Sequence, residues 1–186
     1  MASGAPDGSL AWIARSPVPI ASFTRACLAL SLVLHVTAAV FSVGFHHADE
    51  HFQILEFANA KLGRSATSEL PWEYAARNRC WFQPAVAVAA VRAMQTVGLD
   101  GPTAWTLGLR LLSAVLGWGA VVALCCGVFG WLRTPGAQRF TILALSTLWF
   151  IPYLHARYSS ESWSGSLFFL GFLPLVLAVQ RETRRL

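Results

Sequence analysis

Residues 111–132 have the sequence LLSAVLGWGAVVALCCGVFGWL, an unbroken run of uncharged and mostly apolar side chains between Arg110 and Arg133. A helix needs roughly 20 such residues to cross the ~30 Å hydrocarbon core of a bilayer. This run is long enough, and it stops at an arginine on each side. It therefore predicts a membrane-spanning helix, and it decides the class of the whole fold.

The composition of the chain agrees with a membrane protein. Of its 186 residues, 55% are hydrophobic and 12% are charged, with a mean hydropathy of +0.52. A soluble domain carries about 25% charged residues. These values exclude a disordered chain, a basic nucleic-acid-binding domain and an ordinary cytosolic enzyme. The net charge of +5 suits loops at a cytoplasmic leaflet, and Lys61 is the sole lysine among the basic residues.

Three further apolar runs have the length of spans. We predict an all-α integral membrane protein, a helical bundle with about four transmembrane helices, preceded by a cytoplasmic tail over residues 1–25. A cleaved signal peptide is the alternative for the first run, but an h-region usually has about 7 to 15 residues. The predicted spans cover residues 26–45, 111–132, 140–156 and 162–180.

The arginines predict the orientation. With the N-terminus inside, the short cytoplasmic segments hold seven arginines and the short opposite loop holds only Arg157. Both termini are then cytoplasmic, and residues 46–110 form a large exoplasmic loop with amphipathic helices. Within that loop we interpret residues 84–99 as an interfacial or re-entrant helix, because another span would reverse the later loops.

Polar residues are concentrated directly after the first span. In a helix, Asp49, Gln53 and Glu56 would share one face, with Glu50 beside them. Two adjacent acids at the end of a span favour a functional site over a solvated acidic surface, which is the alternative. The sequence therefore predicts an acidic stripe that faces a cavity.

The same segment matches a zinc-protease pattern. His47, Glu50 and His51 fit H-x-x-E-H, but a zinc site of that kind needs a third, distant ligand. No clear third ligand is present, and the four cysteines lack metal-ligand spacing. We therefore predict no metal site and no bound cofactor.

Further polar residues predict a binding pocket on the exoplasmic side. Trp72 and Glu73 combine a ring with a carboxylate, which suits a sugar, although a plain interfacial aromatic belt fits Trp72 as well. The guanidinium groups of Arg79, Arg110 and Arg157 suit a phosphate, although a plain solvated surface is the alternative for Arg79. Together these side chains predict a pocket for an anionic, lipid-linked substrate.

The chain resembles glycosyltransferase family 22, the dolichyl- or polyprenyl-phosphate-mannose-dependent mannosyltransferases of GPI-anchor and N-glycan precursor synthesis. The resemblance implies a GT-C fold, in the endoplasmic reticulum membrane of a eukaryote or the plasma membrane of a bacterium. It covers about residues 26–180 and is carried by Asp49-Glu50-x-x-Gln53-x-x-Glu56, Leu70-Pro71-Trp72-Glu73-Tyr74, Arg79, Pro84, and the segments that begin at Arg110 and Arg157.

The resemblance also implies residue roles. Asp49 would be the general base toward the acceptor hydroxyl, and Glu50 would orient the acceptor or share that role. Arg79, Arg110 and Arg157 would bind the departing lipid phosphate. Members of the family are usually much longer, so a missing C-terminal half or a partner subunit is expected to complete the bundle. Whether the short chain is active alone stays open, and a non-catalytic multi-pass subunit that docks a partner is the alternative.

Overall fold

A computed structural model describes residues 20–45, 47–48, 50–128 and 131–183. All secondary-structure elements assigned within these ranges are helices. A π-helix spans Glu50–Leu55 and a single 3₁₀ turn spans Thr67–Glu69. The α-helices are α1 Ile20–Phe41, α2 Glu56–Lys61, α3 Trp72–Ala76, α4 Phe82–Thr96, α5 Pro102–Val128, α6 Pro135–Thr147, α7 Phe150–His155 and α8 Ser160–Thr183.

Three helices of the described chain are long and apolar enough to cross a membrane: α1, Pro102–Gly127 of α5, and Ser160–Val179 of α8. This confirms the prediction of an all-α membrane protein. The helix that contains the predicted span 111–132 begins earlier, at Pro102. Proline suits the first helical position, because the N–H that it lacks would have no partner within the helix there.

The predicted span 140–156 is not one helix, and this corrects the sequence analysis. α6 ends at Thr147, Leu148 is extended with a ψ of 116°, and α7 begins at Phe150. The cause is Pro152. Its ring would clash with the carbonyl four residues earlier, that of Leu148, and it has no N–H to donate to that carbonyl. The chain therefore breaks the helix one turn before the proline.

α5 lies at the centre of the bundle and contacts α1, α4, α6, α7 and α8. Small buried residues such as Ala39, Ala114 and Ala156 let the backbones approach closely. Buried polar groups also link the helices: the indole Nε1 of Trp163 on α8 donates to Ser113 Oγ on α5 over 2.7 Å. The resulting bundle encloses a cavity between α5, α6, α7 and α8.

The segment after α1 forms the π-helix, which continues directly into α2 and packs with α4 against α5. α4 includes most of residues 84–99, so the helix predicted there is present and packed on the bundle. The α-helix assumed for the common face of Gln53 and Glu56 is instead a π-helix over Glu50–Leu55 followed by α2. A π-helix pairs residue i with i+5 rather than i+4, which changes the direction of every side chain after Glu50 relative to an α-helix.

Candidate active site

A cavity of about 680 Å³, which we call the main cavity, lies between α5, α6, α7 and α8. One part of its wall is polar and charged, and the rest is apolar. An amphiphile with a charged head and a hydrocarbon tail matches that division. The polar lining consists of His47, Glu50, His155, Arg157, Ser159, Glu161, Ser162 and Ser166, and the apolar lining of Ala120, Val121, Leu124, Leu145, Ile151, Leu154, Gly165 and Phe169.

Glu50 is the buried acid of this cavity. It occupies the first turn of the π-helix, and only 5% of its surface is exposed. π-helical turns are rare and are often found at functional sites. Here the π-helix places Glu50 inward, in the electrostatic field of Arg110. Asp49 and His46 lie outside the described residues, and His47 and Glu50 line the cavity.

Arg110 and Arg157 converge on one carbonyl group. Arg157 Nη1 donates to Gly44 O over 2.8 Å, and Arg110 Nη2 donates to the same oxygen over 2.9 Å. Arg110 Nη1 also donates to the carbonyl of Ser42. These carbonyls follow the C-terminus of α1, where backbone oxygens lack helical partners and the helix dipole favours cations. Gly44 has a φ of +69°, which glycine adopts without strain, and this turn presents its carbonyl to both arginines.

Arg157 is the cation of the main cavity. Only 3% of its surface is exposed, and its Nη2 donates to Tyr153 Oη over 3.0 Å. Its Nε is buried and has no hydrogen-bond partner among the described residues. Guanidinium carries five N–H donors in a rigid fork. Arg157 is therefore fixed in position and retains donor capacity beyond its two protein partners.

The loop that carries Arg157 is held on both sides. Tyr158 Oη donates to Gln83 O on α4 over 2.9 Å, and burial raises the pKa of this phenol above its ordinary value. Ser159 Oγ accepts from Ser162 N over 3.2 Å and so caps the start of α8. This cap brings Glu161, in the first turn of α8, to the wall of the cavity.

Other predicted site residues gather elsewhere. Gln53 Nε2 donates to Glu73 Oε1 over 3.4 Å, and Arg79 Nη2 lies 3.7 Å from the same oxygen. None of these three residues lines the main cavity. Trp72 is 70% exposed, and Glu56 is half-buried in the first turn of α2. The residues predicted to share one pocket therefore do not all line one cavity: Glu50 and Arg157 line the main cavity, and Gln53, Glu73 and Arg79 form a separate cluster.

A family comparison decides what kind of protein carries this cavity. The model of the Alg9-like mannosyltransferase family matches residues 26–183. The chain belongs to that family. Comparison with curated proteins and with solved structures finds no significant match. Membership identifies the protein as a membrane mannosyltransferase at the level of the family.

Among its described residues, this Alg9-like chain brings together two histidines, His35 and His155, whose contact the sequence analysis missed. His35 Nδ1 lies 2.7 Å from Ser31 O, and His35 Nε2 lies 3.0 Å from His155 Nδ1. A carbonyl only accepts, so neutral His35 donates from Nδ1 and accepts at Nε2, and His155 donates from Nδ1. Burial, together with the nearby His35, lowers the pKa of His155 to about 4. A histidine inside an apolar run was the available signal, because such residues are rare in spans.

Proposed function

We propose that this member of the Alg9-like family transfers mannose from a dolichyl- or polyprenyl-phosphate-mannose donor to a lipid-linked glycan or GPI-type acceptor. The observation that carries the proposal is the main cavity. It combines a buried carboxylate, Glu50, and a buried guanidinium, Arg157, with a long apolar wall. A lipid phosphate needs that combination of a cation and a hydrocarbon-lined groove.

In the proposed reaction, an acceptor hydroxyl attacks the anomeric carbon of mannose from the side opposite the phosphate. The new C–O bond forms as the bond from that carbon to the phosphate oxygen breaks, with inversion at the anomeric carbon. The hydroxyl proton passes to the carboxylate of Asp49, the general base that the family resemblance implies. The electron pair of the broken bond leaves with the lipid phosphate, whose charge Arg157 stabilises.

Glu50 has a supporting role in this scheme. A buried carboxylate near the acceptor can accept a hydrogen bond from a second sugar hydroxyl and so hold the attacking oxygen in line. Arg110 acts on the same end of the cavity through Gly44, because its guanidinium and that of Arg157 share this carbonyl. We assign Gln53, Glu73 and Arg79 no contact with the reacting atoms, because they lie outside the main cavity.

The proposal extends to location. The loop of residues 46–110 would face the exoplasm with both termini in the cytoplasm, in the endoplasmic reticulum of a eukaryote or the plasma membrane of a bacterium. The three apolar helices of the described chain support a multi-pass arrangement. With both termini on one side, the broken pair α6 and α7 would together form a fourth crossing.

The test is transfer of radiolabelled mannose from a polyprenyl-phosphate donor in membranes that express the chain. Asp49→Asn should abolish transfer, and Asp100→Asn should preserve it, because Asp100 is an exposed acid in the loop between α4 and α5. Transfer that persists in Asp49→Asn would overturn the assignment of the base. Binding of a short-chain polyprenyl phosphate gives a second readout that does not require turnover.

In that binding assay, Arg157→Gln should weaken affinity by about tenfold or more, because a charge-assisted hydrogen bond contributes roughly 1.5–3 kcal/mol. Arg133→Gln is the matched control, since Arg133 is an exposed arginine outside the cavity. Equal binding by the two variants would contradict a phosphate site at Arg157.

A further inference from the structure

A second pocket of about 420 Å³ shares no residue with the main cavity. We propose that it binds a phosphate group, supplied either by the headgroup of an anionic lipid or by a soluble phosphate ester. We call it the basic pocket, and it lies between the end of α2 and the segment after α3. Its lining consists of Lys61, Tyr74, Ala75, Arg77, Arg79 and Trp81, so that half of these side chains are cationic and none is acidic.

The chain brings the three cations together from different elements. Lys61 is the last residue of α2, and Arg77 follows the last turn of α3. Among the described residues, Arg77 is the one non-glycine with a positive φ, at +52°. A left-handed residue ends α3 there and directs the following residues, including Arg79, back to the pocket.

Arginine is an unfavourable residue for that turn. Glycine is the usual residue at this position, and a side chain in the left-handed region costs roughly 1–2 kcal/mol. Strain of this kind tends to occur where the side chain has a function. The strained backbone at Arg77 therefore indicates a function for its guanidinium group.

The charges of the basic pocket are poorly balanced by protein groups. Glu73 Oε1 lies 3.7 Å from Arg79 Nη2 and also accepts from Gln53. No carboxylate of the described residues forms a salt bridge with Lys61 or Arg77. Like charges that line one pocket repel each other, and an anion in the pocket would relieve that repulsion. Arginine forks match phosphate oxygens bidentately, so a phosphate is the anion that fits best.

An aromatic wall gives the basic pocket its shape. The rings of Tyr74 and Trp81 lie 6.0 Å apart, edge to face, and Phe57 packs behind both at 5.4 and 5.7 Å. Phe57 is 2% exposed, which anchors the wall to the core. Lys61 Nζ lies 5.0 Å from the centre of the Trp81 ring, so this ring directs the ammonium group over the pocket.

The test uses the fact that Lys61 is the only lysine of the chain. The purified full chain is acetylated at low reagent concentration, and modification of Lys61 is followed by peptide mass spectrometry with the N-terminal amine as internal reference. Inorganic phosphate and glycerol 1-phosphate are added in detergent, with sodium chloride at equal ionic strength as control. In parallel, nanodiscs of phosphatidylcholine alone are compared with an equal mixture of phosphatidylcholine and phosphatidylglycerol.

We expect a bound phosphate to slow acetylation of Lys61 by about tenfold, relative to the N-terminal amine. Protection by the soluble phosphates identifies a phosphate ester as the source, and protection only by phosphatidylglycerol identifies the lipid headgroup. Acetylation of Lys61 that changes with neither addition overturns the proposal.

Arg77→Gly sharpens the test, because it removes the cation while relieving the backbone strain, so that loss of folding cannot explain its effect. This variant should lose most of the protection at Lys61. Arg92→Gln is the control, since Arg92 is an exposed arginine of α4 outside the basic pocket, and it should retain the protection. Protection that is equal in wild type and Arg77→Gly refutes the basic pocket as the binding site.

Discussion

Gly117 is the position where one added methyl group should disrupt the bundle. A Cβ at this residue of α5 would lie 2.6 Å from Nδ1 of His155, and nearer still to its Cβ and Cγ. Atoms cannot be that close, so the ring of His155 must move. Because Nδ1 is also the atom that bonds His35 over 3.0 Å, Gly117→Ala should break this hydrogen bond as well.

The expected magnitude follows from three contributions. Overpacking of a core costs about 1–3 kcal/mol. The lost hydrogen bond adds about 1 kcal/mol. Alanine is the better helix former by up to about 1 kcal/mol, which offsets part of the loss. The net expectation is that Gly117→Ala lowers the free energy of unfolding by about 1–3 kcal/mol.

The same helix offers the matched control. A Cβ at Gly119 would have no atom within 4 Å, so Gly119→Ala should leave the free energy of unfolding unchanged or raise it by up to about 1 kcal/mol. Both variants would be unfolded with SDS in mixed micelles and followed by circular dichroism. His155→Ala removes Cγ and Nδ1, so it should reduce the effect of Gly117→Ala by about 1 kcal/mol in a double-mutant cycle. Equal stability of the two glycine variants would refute the reasoning.

Three further predictions concern buried polar groups and topology. Trp163→Phe removes the 2.7 Å hydrogen bond to Ser113 and should lower the free energy of unfolding by about 1–3 kcal/mol in the same assay. Trp149→Phe, at a 77% exposed residue, should have little effect. Similar losses in the two variants would contradict this prediction. Between pH 6.5 and about 4, the unfolded chain binds a proton at His155 that the folded chain does not, so the free energy of unfolding should fall with decreasing pH by up to about 3 kcal/mol. In a pH series of unfolding curves, His155→Phe should flatten this dependence. Cys80 is exposed in the long loop, so in a chain expressed in a bacterial plasma membrane an impermeant maleimide added to spheroplasts should label it in a Cys126→Ala background; labelling only after the membrane is permeabilised would reverse the proposed orientation.

The sequence predicts the long helices well, because their apolar runs need no partner to be recognised. It also contains a reason why residues 140–156 are divided, since Pro152 disfavours a continuous helix there, although α8 continues through Pro174 and apolar length alone favours a span. The π-helix was not predictable from spacing. Its i to i+5 pairing buries both Glu50 and Ile54, and no local sequence pattern distinguishes this pairing from the i to i+4 pairing of an α-helix.

The site was predictable in its chemistry more than in its geometry. Positive charge near the ends of the apolar runs predicts that Arg110 and Arg157 are near each other, and the structure brings both to Gly44. The left-handed turn at Arg77, which directs the chain toward Arg79, was not predictable, because sequence rules assign that conformation to glycine. The contact of His35 with His155 joins residues far apart in the chain, so only the folded bundle reveals it.

The break before Pro152 leaves α7 with only six residues, and this has a consequence for the cavity wall. A helix that short does not persist in isolation. α7 is therefore folded because it is docked, and its polar attachments lie near its end, where His155 bonds α1 and Arg157 bonds the turn after α1. Hydrogen exchange of α7 should consequently report on those two attachments rather than on global unfolding. We therefore expect the wall at the charged end of the cavity to open separately from the long helices of the bundle.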